Sequence, residues 1–63
     1  MLKFTDGFGY IITVTEVDQE LQTLWDDEGE EFLGHTCHCT DNRGDEWYDA
    51  VEHLETMYEK YDE

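Results

Sequence analysis

The densest run of chemically capable side chains is His35-Thr36-Cys37-His38-Cys39, where two thiols and two imidazoles are the ligand types that zinc prefers. The spacing works against a shared ion. On a regular strand His35, Cys37 and Cys39 point the same way, but successive same-face residues stand about 7 Å apart. That is too wide for bonds of about 2.3 Å to one zinc. A bulge, or His53 from a later element, would have to close the gap. The other arrangements are a strained Cys37–Cys39 disulfide and two buried free thiols, the ordinary state of unpaired cysteine. As nucleophiles these thiols are poorly served, because nearby carboxylates oppose formation of the thiolate.

Carboxylates are the other abundant chemistry. Eighteen Asp and Glu face only Lys3, Arg43 and Lys60, a net charge of −15 on 63 residues. They are clustered: Asp26, Asp27, Glu28, Glu30 and Glu31 surround Gly29, and nine more fall from Asp41 onward. The 26–31 run lacks the ligand order of an EF-hand, so a solvated hairpin tip is expected there. No serine and no glycine-rich phosphate loop is present, and cations that would stabilise a developing anion are scarce. The carboxylates are too many and too similar to single out an acid and a base. The composition therefore points away from an enzyme and toward a binding protein without a cofactor.

The elements that must position these groups follow from periodicity. Trp47, Val51, Leu54, Met57 or Tyr58, and Tyr61 recur at helical spacing, which predicts a helix over residues 45–61 capped by Asp41, Asn42 or Asp45. On it Glu52, Glu55, Glu59 and Asp62 would form one acidic stripe, flanked by Asp45, Tyr48 and Asp49. Like charges at this spacing repel, and acids at the helix C-terminus oppose its dipole. Alternating strand-forming residues predict strands over 9–17 and 31–40, and the turn chemistry of Asp27-Glu28-Gly29-Glu30, which needs a strand before it, predicts another over 21–26. A helix over 16–25, started by Thr15-Glu16-Val17-Asp18 as a capping box, is the competing assignment. Asp6-Gly7 closes a short hairpin with residues 2–4 or simply turns the chain. The expected fold is α+β: a single domain with a small three-stranded antiparallel sheet and one C-terminal helix packed on one face, in the order β-β-β-α. Trp47, Val51, Leu54 and Met57 would face the strands, leaving the other sheet face wet.

A chain this short buries only about 60% of the surface its unfolded form exposes. Its nine aromatics and 38% hydrophobic content nonetheless exceed those of an acidic disordered tail. No basic region followed by an apolar run opens the sequence, so a cytoplasmic protein is expected. A charge of −15 overshoots the magnitude of about 2 to 8 that keeps a small domain soluble. A halophilic surface and a small metal domain are alternative readings. A generic acidic interaction module working through aromatics such as Trp25 or Tyr48 is another.

In size, charge, charge clustering and lack of catalytic residues, the chain resembles the small acidic inhibitors that phages encode against host DNA-handling machinery. These are the DNA-mimic anti-restriction and anti-CRISPR proteins. The resemblance implies a non-catalytic monomer or small homo-oligomer that binds a basic nucleic-acid-binding protein, such as a Cas effector subunit, rather than nucleic acid or membrane. Asp26, Asp27, Glu28, Glu30, Glu31, Asp45, Asp49, Glu52, Glu55, Glu59 and Asp62 would then stand in for phosphates, with Tyr48 adding an apolar contact.

Overall fold

Three copies of one local device lay down most of the chain. Asp6, Asp26 and Asp41 are each followed by a glycine three residues on: Gly9, Gly29 and Gly44. In each loop the aspartate Oδ1 accepts the N–H groups two and four residues ahead. The distances are 2.7 and 3.3 Å at Asp6, 2.9 and 3.0 Å at Asp26, and 2.9 and 2.9 Å at Asp41. The aspartate N–H in turn donates to the carbonyl four residues on. The glycines sit at φ 99°, 81° and 92°, a region that residues with a Cβ rarely adopt. Each loop therefore reverses the chain and sets up an antiparallel pair.

The computed structural model describes residues 2–61. Its strands are β1 (Leu2–Thr5), β2 (Ile11–Val17), β3 (Gln22–Trp25), β4 (Glu31–Gly34), β5 (Thr36–Asp41), β6 (Glu46–Ala50) and β7 (Glu59–Lys60), with one helix, α1 (Val51–Met57). The Asp loops join β1 to β2, β3 to β4 and β5 to β6. Five strands form an antiparallel sheet in the order β6-β5-β2-β1-β7, while β3 and β4 pair as a separate two-stranded sheet. The fold is thus mostly β. The expected three-stranded sheet with a long helix is wrong in both parts, and the alternative helix over 16–25 is wrong as well.

The predicted helix over 45–61 fails at both ends. Residues 46–50 pair with β5, from Thr40↔Glu46 through Cys39↔Trp47 to Thr36↔Ala50. Trp47 and Tyr48 are good strand formers, and the Asp41–Gly44 turn delivers them to the open edge of β5. At the other end Tyr58 is extended, at φ −135° and ψ 168°. Glu59 and Lys60 then pair with Thr5 and Phe4 on β1. Acids near a helix C-terminus already weakened the continuation, and β1 offered backbone partners instead. The apparent helical period arose because Trp47 on a strand and Val51 and Leu54 on a helix all face one core.

The predicted strand over 31–40 is two strands that meet at His35. Its N–H donates to Glu52 Oε1 at 2.8 Å and its carbonyl accepts the Val51 N–H at 3.0 Å, while its ring Nδ1 lies 2.7 Å from Glu52 Oε2. This clamp on the first turn of α1 directs the chain out of the β3–β4 hairpin and into the main sheet. Gly34 beside it is buried, and a Cβ there would come within 2.9 Å of Glu52 Oε1 and 3.0 Å of the Phe32 ring. Phe4, Ile12, Val14, Cys37, Cys39 and Leu54 form the core, with Leu2, Tyr10, Trp47, Val51 and Tyr58 packed around them. Met57, expected to join that face, is 61% exposed.

Candidate partner-binding surface

The turns and the clamp separate two kinds of carboxylate. Asp26, Asp41, Asp49 and Glu52 are half-buried and bonded within the fold. Asp26 and Asp41 hold their turns, and Asp41 Oδ2 also accepts the Tyr10 hydroxyl at 2.8 Å. Asp49 Oδ1 lies 2.9 Å from His53 Nδ1, and its Oδ2 accepts the Trp47 indole N–H at 3.3 Å. Glu52 is held by His35. The other twelve carboxylates among residues 2–61 are exposed. Of the residues singled out from sequence, Asp27, Glu28, Glu30 and Glu31 lie at the β3–β4 tip, Asp45 on the β5–β6 turn, Glu55 on α1 and Glu59 on β7; all are exposed. The stripe of Glu52, Glu55, Glu59 and Asp62 does not exist as drawn: Glu52 is bonded inward, Glu59 lies on a strand, and Asp62 is outside the described residues.

The fold does bring Asp26, Asp27, Tyr48 and Asp49 together, from segments more than twenty residues apart. They line a cleft of about 470 Å³ between the β3–β4 hairpin and the β6 edge, with Trp25, Phe32 and His53. Tyr48 is 79% exposed and Trp25 63%, so rings stand open on both sides. Phe32 was expected only as a strand residue. Its place in the cleft depends on how the hairpin leans against α1, which no local pattern encodes.

The cysteines are free and buried, with their sulfurs 3.6 Å apart. Burial first, and then the neighbouring Cys37 thiol, pushes the Cys39 thiol up to about 12. Burial likewise pushes Cys37 up, with Asp49 adding to it. Neither is a thiolate at neutral pH. His35 does not share a strand face with them, because it sits between β4 and β5 with its ring on Glu52. Among the described residues no group of three or more His, Cys, Asp or Glu side chains is arranged to hold a metal ion. Tyr10 is likewise pushed up to about 12, by burial and then by its bond to Asp41, so its hydroxyl is a fixed donor. Arg43 lies over the Tyr10 ring at 4.7 Å. These contacts rigidify one end of the sheet.

No protein-family model, curated protein or solved structure matches this chain. Among the described residues no helix is long and apolar enough to cross a membrane.

Proposed function

We propose that this protein is a non-catalytic inhibitor that presents carboxylates in place of DNA phosphates and occupies the basic groove of a nucleic-acid-binding protein in the cytoplasm. The observation that supports it is the surface charge: twelve carboxylates among residues 2–61 are exposed, and of these only Asp6 and Asp18 are tied into turns. The 30 Å long axis matches about nine base pairs of duplex, which carry about 18 phosphate charges, against a net charge of −15 here. The DNA-recognition surface of a Cas effector complex is the first target class, by the resemblance in size and charge. The decisive measurement is competition: the chain should displace duplex DNA from such a protein at low salt and fail at about 0.5 M salt, where screening shortens to a few ångströms. Charge removal should use Glu28→Gln, Glu30→Gln and Glu55→Gln together, since all three are exposed and Glu52 belongs to the fold. Unchanged displacement by that folded variant, or salt-independent binding, would sink the reading.

A further inference from the structure

The cleft between the β3–β4 hairpin and β6 has a composition that charge mimicry alone does not need. Trp25 and Tyr48 stand exposed on the cleft walls with Phe32 between hairpin and helix. Three carboxylates border the same space, Asp26, Asp27 and Asp49, the last bonded to His53 and Trp47, and none of the lining residues is a lysine or arginine. Both turn bonds of Asp26 fall on Oδ1, which leaves Oδ2 to a ligand. Arg43 lies on Tyr10 at the β5–β6 turn, and Lys3 and Lys60 lie on β1 and β7. The cleft is therefore aromatic on its walls and negative at its rim.

We propose that this cleft takes the guanidinium of an arginine side chain carried by the basic partner. A planar cation stacks on ring faces and donates in a fixed fork to carboxylates, and it gives up water more readily than an ammonium does. That chemistry uses both features of the cleft at once. The assignment rests on the reading that the partner is basic, and it adds where one of that partner's cationic side chains is gripped. It also gives Tyr48 a role that exposed charge cannot supply, because rings at an interface centre anchor while rim charges steer.

The test titrates the whole chain with Nα-acetyl-arginine amide and follows amide and indole N–H resonances. Saturable shifts should centre on Trp25, Tyr48 and Asp27, and the isosteric neutral citrulline amide should produce none. Trp25→Ala and Tyr48→Ala should each weaken binding about three- to tenfold. Both side chains are exposed, and Tyr48→Leu, which keeps apolar surface but loses the ring, should weaken it similarly. Nα-acetyl-lysine amide should bind several-fold less tightly. Equal response to citrulline or lysine, shifts spread evenly over the acidic surface, or binding that survives loss of both rings would overturn the slot. Displacement of DNA by a chain whose slot is silent would refute the slot alone. An arginine-specific slot in a chain that never displaces DNA would refute the mimicry alone.

Discussion

Glu52 places its two carboxylate oxygens on His35, one on the backbone N–H and one on the ring. Burial raises its pKa, but the His35 N–H and ring outweigh that and leave it below the usual carboxylate range. A carboxyl with a lowered folded pKa contributes stability that is complete above about pH 4.5, the unfolded value, and lost as pH falls through the folded one. Thermal unfolding followed by circular dichroism should show a smaller acid loss in Glu52→Ala than in the parent chain. The remainder comes from Asp41, whose carboxyl is also held below its ordinary range, despite burial, by its turn bonds and the Tyr10 hydroxyl. The Glu52→Ala chain should itself be less stable by about 1–3 kcal/mol, from the loss of two bonds to a charged carboxylate at a half-buried site. Gly34→Ala should cost about as much, since the new methyl meets a pinned carboxylate and the Phe32 ring rather than open space. The thiols behave oppositely. With folded pKa values raised above the ordinary 9, Cys37 and Cys39 support the fold below that pH and withdraw support as pH rises beyond it. Native protein should react with a thiol reagent at neutral pH far more slowly than urea-unfolded protein; equal rates would place the sulfurs at the surface.

At the level of elements, the repeated Asp-x-x-Gly loop carries the topology. Replacing Gly44 by alanine puts a Cβ into backbone at φ 92° with nothing else nearby, so the cost is conformational, about 1 kcal/mol or somewhat more. Asp41→Ala should cost more than Asp26→Ala. Asp41 also accepts the Tyr10 hydroxyl, whereas Asp26 serves a peripheral hairpin. Equal effects in chemical denaturation would show that the Tyr10 bond adds nothing. Only one of these loops follows from the sequence, the turn at residues 27–30 from Gly29. Asp6-Gly7 stays open there between a hairpin and a simple turn, and Asp41 goes to a helix cap where the structure has the β5–β6 turn. The strand expected over 9–17 from alternation is Ile11–Val17, and the one expected over 21–26, because the turn needs a strand before it, is Gln22–Trp25. The division of residues 45–61 into strand, helix and strand was not legible, because Trp47, Val51 and Leu54 satisfy a helical period while facing the core from two kinds of element.

For the whole molecule, like charge is a load set against a small apolar core. The buried cluster around Phe4, Ile12 and Leu54 is apolar and contains no charged residue. The chain should therefore be folded at low ionic strength, and its melting temperature should rise modestly with added salt as repulsion between exposed carboxylates is screened. Near-ultraviolet circular dichroism at low salt checks this. Loss of tertiary signal there would mark a halophilic surface instead of an inhibitor's.

Composition by itself determined the sign and size of the charge and the poverty of nucleophiles and cations, because these depend on residue types, whereas the fold decides that the cysteines are free and buried. Tertiary structure alone decided which carboxylates are available. Asp49 and Glu52 look like their neighbours in the sequence, and only the return of His53 and His35 to them turns surface charge into internal bonds. The same packing set Trp25, Phe32 and Tyr48 around one cleft, an arrangement made by contacts between segments more than ten residues apart.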